Sequence, residues 1–159
     1  GMSEKMPVSL KALVSEVDSQ DESDQVLVRL ATGEVLTTTS MDWQQLHTGE
    51  ETDFDEDIDQ ELRQWNETGD GFFASAPERN DFNEPRIIRR FCEEVPNGER
   101  LYRAFSGGRG AFRRFKDAAA DMGLLDQWYA FRTQAIADML RGWLKVSEIP
   151  FTDDLPHGR

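Results

Sequence analysis

Apolar residues open the chain at helical spacing. Leu10, Leu13, Val14 and Val17 stand at i, i+3, i+4 and i+7, and Ser9 before them is a good N-cap. The pattern predicts a helix over 10–17, after frayed residues 2–8. The period then changes to two. Val26, Val28 and Leu30 alternate with Leu27, Arg29 and Ala31, Thr32-Gly33 interrupts, and Val35-Leu36-Thr37-Thr38 follows. This predicts a β-hairpin whose turn uses Gly33 for positive φ. Two strands alone are marginal, so helices or a further strand must cover one face. Ser40 is placed to cap a short helical turn holding Trp43 and Leu46. Phe54, Ile58, Leu62 and Trp65 predict a helix over 54–67, with Gly69 at its C′ position. Phe72-Phe73-Ala74 suits a short third strand, and 75–83 reads as loop.

The second half is patterned almost wholly for helix. Asn83 caps a helix predicted over 84–94, with Pro85 in its first turn and Ile88, Phe91, Cys92 and Val95 inside. Pro96-Asn97-Gly98 ends it. Leu101, Tyr102 and Phe105 mark a short helix over 99–106. Three glycines, Gly107, Gly108 and Gly110, precede a helix over 110–122. The last helix runs from about Asp126 to 145, with Trp128, Ala135, Ile136, Met139, Leu140, Trp143 and Leu144 as a broad apolar stripe. The expected fold is α+β. A small antiparallel hairpin or sheet with N-terminal helices packs beside a C-terminal bundle of about four helices. The expected organisation is one domain over 8–151, with a hairpin-and-helix half at 8–75 and a helical half at 83–151. Residues 1–7 and 152–159 are expected to be flexible, and Gly1 ahead of Met2 reads as an expression remnant.

Composition changes this picture little. The 159 residues, 38% of them hydrophobic, suffice for one core, and the single Cys92 fits a reducing compartment. No apolar run nears the ~18 residues of a membrane span, and no signal-peptide pattern is present. A cytoplasmic protein that does not enter membranes is expected. Charge changes the picture more. The net charge is −13, and it is unevenly shared. Residues 1–83 carry 5 basic and 20 acidic side chains, whereas 86–116 hold nine Arg or Lys against three Glu. The whole chain should be repelled by nucleic acid and anionic membranes, while segment 86–116 leaves one basic face as a candidate for nucleic acid.

That basic segment holds the candidate chemistry. Glycines before a helix let backbone N–H groups converge, and the helix N-terminus favours anions. Arg109, Arg113 and Lys116 follow at spacings of four and three, with Arg100 and Arg103 on the preceding helix. Gly108, Arg109, Gly110, Arg113 and Lys116 form the candidate anion-binding set. The competing expectation is a tight helix corner, with Phe112, Phe115, Ala119 and Met122 buried and the arginines paired to the acidic half, Arg114 also being placed to pair with Asp117. No Walker ending follows the glycines. Asp53, Asp55 and Asp57 have the opening spacing of a calcium loop, but Ile58 and Gln64 stand where glycine and glutamate are required. His47 and His157 are in no ligand-spaced pair, and Cys92 sits on an apolar stripe, as an inert thiol would. No residue is assigned as catalytic, cofactor-binding or metal-binding, and no cofactor is expected.

The stretch Gly108-Arg109-Gly110-Ala111-Phe112-Arg113-Arg114-Phe115-Lys116-Asp117, then Gly123 and Trp128-Tyr129-Ala130-Phe131-Arg132, resembles the uncharacterised protein family 0158 of bacteria. Thr32-Gly33-Glu34-Val35 and Trp143-Leu144 with Ile149 fit it too. The resemblance covers roughly 8–151 and implies a bacterial cytoplasmic origin. It brings no site, cofactor or substrate. Two functions are therefore carried forward. One is a non-catalytic interaction module with an anionic or protein partner at 107–117. The alternative is an enzyme on a phosphorylated or nucleotide-like substrate, with the arginines as anion clamp and an acid from the first half as base. Oligomeric state is left open.

Overall fold

The computed structural model describes residues 6–156. The fold is α+β, built from seven α-helices, a three-stranded antiparallel sheet and a two-stranded parallel pair. The chain divides into two compact units. One holds the residues up to Arg79 together with Met139–Leu155, and the other holds Asn80–Asp138. The boundary falls inside the expected loop 75–83. The C-terminal stretch, however, returns to the first unit.

The first unit begins with strand β1 (Val8–Ser9) and helix α1 (Leu10–Ser19). Ser9 caps α1 as its sequence suggests, its side chain accepting from the Ala12 N–H. Strands β2 (Gln25–Arg29) and β3 (Val35–Thr38) form the hairpin, with Gly33 at φ +78 in the turn. β4 (Phe73–Ser75) adds on the other side of β2, so β2 is the central strand. Val26, Leu27 and Val28 are all buried, as a strand covered on both faces requires. On one face Leu27, Leu36 and Phe73 join Leu46 of helix α2 (Ser40–Thr48) and Ile58 and Leu62 of helix α3 (Glu56–Thr68). On the other face Thr37, paired with Val26, donates to Glu16 of α1 at 2.5 Å. The sheet is therefore sandwiched between α1 and the α2–α3 pair. Thr39, not Ser40, caps α2, through a full capping box with Asp42.

Neither short terminal strand has a local sequence signal. β1 pairs in parallel with β5 (Phe151–Thr152), Val8 opposite Phe151 and Ser9 opposite Thr152. The expectation that residues 152–159 are flexible is corrected for 152–155. Arg141, only 5% exposed, pairs with Asp153 at 2.9 Å and donates to the Leu155 carbonyl at 3.1 Å. A cation this deeply buried needs its carboxylate, and the pair holds the C-terminal segment in place. Val8, expected to fray, is 1% exposed.

Asp154 completes the closure. Ser9 donates to it at 2.6 Å and the Lys11 N–H at 2.7 Å. The Ser9 hydrogen bond, with that from the Lys11 backbone behind it, holds the carboxyl below its usual value. A depressed carboxylate stabilises the fold above its unfolded pKa, about 3.9, and that stabilisation is lost as pH falls through the lower folded value. Asp154→Asn should therefore lower stability at neutral pH and narrow the gap to wild type as pH falls from about 4 towards 2. Urea midpoints across that range measure it. A gap that stays constant would show that Asp154 has no such role.

The second unit is helical: α4 (Glu84–Glu94), α5 (Gly98–Phe105), α6 (Ala111–Asp121) and the first part of α7 (Leu125–Val146). Asn83 caps α4 as expected, at φ 50. The core is aromatic. Trp128 lies 4.9 Å from Phe115 and 5.5 Å from Phe91, and Phe91 lies 5.4 Å from Phe131. Such edge-on and tilted ring pairs add to simple area burial. Arg132 on α7 is 9% exposed and bound to Glu84 at 2.6 Å, which ties α7 to the start of α4.

Candidate functional site

The glycine junction lies between α5 and α6, within the second unit. α5 stops at Ser106, whose N–H donates to the Tyr102 carbonyl at 3.1 Å and whose hydroxyl donates to the Arg103 carbonyl at 2.8 Å. Gly107, Gly108 and Gly110 then take φ of +107, +78 and +78. The reason for this path is Arg114. From the first turns of α6 its guanidinium reaches back and donates to the carbonyls of Ala104 at 3.2 Å, Arg109 at 2.7 Å and Ser106 at 3.4 Å. A Cβ on Gly110 would sit 3.2 Å from Nη1 of Arg114, and one on Gly107 3.6 Å from Nη2. The bare backbone lets the loop close around the cation. The expected pairing of Arg114 with Asp117 is therefore corrected. Three outward-bending carbonyls offer charge-assisted bonds that a single carboxylate on the same helix does not match in number.

This also revises the picture of the loop as a set of converging N–H groups. Its carbonyls converge, on a cation of the chain itself. The Ala111 N–H is taken by the Gly108 carbonyl at 3.0 Å.

The candidate residues are placed as follows. Gly108, Arg109 and Gly110 lie in the loop, while Arg113 and Lys116 lie one turn apart on α6. Arg109 is therefore not on the helical face that its spacing suggested. Arg109, Arg113 and Lys116 are exposed, and among the described residues none makes a side-chain hydrogen bond or ion pair. Arg100 and Arg103 on α5 are exposed and equally unpaired within those residues.

Two concavities flank α5. One, of about 660 Å³, is lined by Tyr102, Phe105, Phe112, Arg113 and the Gly107, Gly108 and Gly110 backbone, and no carboxylate lines it. The other, of about 900 Å³, lies against α4 and is lined by Arg89, Arg100 and Arg103 with Glu93, Glu99 and Asn97. Tyr102 lines both. Its ring is 40% exposed and that of Phe112 41%. Phe112 was expected in the core. It stands in the first turn of α6, where Phe105 at 5.3 Å is the ring against it, while Phe115 one turn on is fully buried. The exposure of these aromatics is the feature of the corner that helical spacing concealed. The clue available in the sequence was that Phe112 directly follows a glycine loop, where few neighbours can cover it.

The corner between α4 and α5 is tightly packed. Gly98 packs directly on α4, and a Cβ there would fall 1.6 Å from the Cys92 carbonyl oxygen. Burial, with a smaller effect of the Glu93 charge, pushes the Cys92 thiol up to about 11, so it stays protonated at neutral pH. His47 is exposed in the last turn of α2, in the other unit. His157 lies outside the described residues. Among the described residues no three His, Cys, Asp or Glu side chains are grouped as ligands for a metal. No helix within them is long and apolar enough to cross a membrane.

Comparison with known proteins adds no relative: no family model, curated protein or solved structure matches the chain.

Proposed function

We propose that the protein is a non-catalytic interaction module of the bacterial cytoplasm whose α5–α6 corner docks an acidic protein segment. One observation carries this reading. The concavity of Tyr102, Phe105, Phe112 and Arg113 has exposed rings, a free cation and no carboxylate, and Arg109 and Lys116 on the same loop and helix are also exposed and unpaired among the described residues. Aromatic and arginine side chains together are what protein-binding surfaces favour. The rings supply contact area and the cations select an acidic partner. Membership of family 0158 is part of the same proposal. It rests on the Gly108–Asp117 stretch and assigns no residue a role.

The enzymatic alternative needs a group that moves a proton or attacks a substrate at the same place. The lining of this concavity offers only the Ser106 hydroxyl and the Tyr102 phenol, and Ser106 is already donating to the Arg103 carbonyl. No observation at the corner favours that reading.

Binding of poly-glutamate, followed by calorimetry, tests the proposal. Wild type should bind at low salt, and Arg109→Glu/Arg113→Glu/Lys116→Glu should weaken binding by about tenfold or more, as loss of three exposed pairs implies. Equal affinity of the two proteins would sink it.

A further inference from the structure

The first unit carries a surface of the opposite kind. The segment between α2 and α3 and the first turn of α3 present Glu50, Glu51, Asp53, Asp55, Glu56 and Asp57. All six are exposed, and among the described residues none has a side-chain hydrogen bond or ion pair. They differ in this from Asp59 and Glu61 just beyond, which pair with Arg63 and Arg29 at 2.6 Å each.

The acidic segment is also held in a fixed shape. Arg63 donates to the Glu50 carbonyl at 2.7 Å and to the Leu46 carbonyl at 3.2 Å. Thr52 donates to Asp59 at 2.7 Å and accepts from the Phe54 N–H at 3.3 Å. Phe54 packs on the core of Leu27, Leu36, Leu46, Ile58, Leu62 and Phe73. The segment is thus anchored through its backbone, its threonine and its one aromatic ring, and its carboxylates are left outward. The basic corner is anchored in the same manner, by Arg114 on three carbonyls. Two surfaces that are already ordered lose little conformational freedom on meeting.

We infer that the acidic segment docked by the α5–α6 corner is residues 50–57 of a second copy of this chain. This rests on the function proposed above and names its partner. Charge complementarity carries it. Six free carboxylates stand on one surface, and Arg109, Arg113 and Lys116 stand at the corner. Each chain has one surface of each sign, and the two differ. The contact closes reciprocally in a two-fold dimer or propagates into a ring or an open chain, according to where the two surfaces lie on the chain. The net charge of −13 opposes the approach of two copies at long range, so the contact is made by local complementarity, at separations below the ~10 Å screening length of about 0.1 M salt.

Salt weakens the repulsion and the contact together, so the decisive experiment uses variants at fixed salt, followed by sedimentation equilibrium. Wild type should gain average mass with concentration. A base-reversed chain, Arg109→Glu/Arg113→Glu/Lys116→Glu, should remain monomeric. So should an acid-reversed chain, Glu50→Lys/Glu51→Lys/Asp53→Lys. Mixed in equal amounts, the two should associate again, because one junction is intact and the other is reversed on both of its sides. Glu22→Lys/Glu67→Lys/Asp70→Lys shifts the net charge equally on exposed positions elsewhere and should associate at least as strongly as wild type. Arg113→Glu and Glu51→Lys alone probe the same junction with one exposed side chain each, should a triple variant melt abnormally.

Wild type that stays monomeric at every concentration overturns the inference. So does an acid-reversed chain that still self-associates, or a mixture that does not associate. Poly-glutamate separates the two levels. If it binds the corner while wild type stays monomeric, the docking function stands and the second copy is the wrong partner. If it fails to bind and the chain is monomeric, both fall.

Discussion

Gly98→Ala should leave little folded protein under conditions where wild type is stable. The added methyl would stand 1.6 Å from the Cys92 carbonyl oxygen, 2.7 Å from its carbon and 3.2 Å from the Cys92 Cα. All three are backbone atoms of α4, so no side chain can rotate away. Either α5 backs off α4 or the end of α4 unwinds. Both movements disturb the buried pair Phe91 and Leu101. A loss above about 4 kcal/mol is expected, at the severe end for a single substitution and near the whole stability of many domains. Gly98 is not among the glycines with positive φ, so the loss measures contact alone and not backbone preference. A thermal midpoint within a few degrees of wild type would show that the corner is looser than described.

Phe115→Ala should cost about 3–5 kcal/mol and Phe112→Ala about 1 kcal/mol. Phe115 is fully buried and lies 4.9 Å from Trp128, 6.4 Å from Phe91 and 6.3 Å from Phe105. Its removal empties the centre of the helical unit. Phe112 is 41% exposed and has one ring neighbour. Its removal should instead weaken binding of poly-glutamate, if the ring forms part of the docking surface. Denaturant midpoints of the two variants decide it. Equal losses would mean that Phe112 is core, and the surface would lose its aromatic part.

The two phenylalanines also show where sequence pattern stops being informative. Phe112 and Phe115 are three apart, and the 3.6 period puts both on one stripe with Ala119 and Met122. Periodicity describes the helix and not what lies beside it. At the first turn of α6 little is present to cover a ring. The other helices were legible because they carry their own punctuation. Ser9 before α1, Asn83 before α4, Gly69 after α3 and the Thr32-Gly33 turn all act locally, and the structure uses each as the sequence implies. β1 and β5 were illegible for the opposite reason. Two residues cannot display a period, and Val8 pairs with Phe151 at the far end of the chain, where nothing local announces it.

At the candidate site the residue types were legible, but their roles were not. Arg114 looked like one more cation in a basic stretch. Its role follows from three carbonyls at Ala104, Ser106 and Arg109, and carbonyl direction is not written in side-chain identity. The glycines read as an anion nest because the same residues permit either orientation of the peptide planes. Here the planes turn their oxygens towards the chain's own guanidinium, which leaves Arg113 and Lys116 as the free cations on α6 among the described residues.

The parallel pairing of β1 with β5 has a mechanical meaning. Tension applied through the two ends of the described chain pulls Val8 back along its strand and Thr152 forward along the other. Because the strands are parallel, this loads their bonds side by side, in shear, instead of opening them one after another like a zipper. The Val8–Pro150 bond at 2.9 Å, the Asp154 bonds to Ser9 and Lys11 and the Arg141–Asp153 pair all cross or brace the same seam.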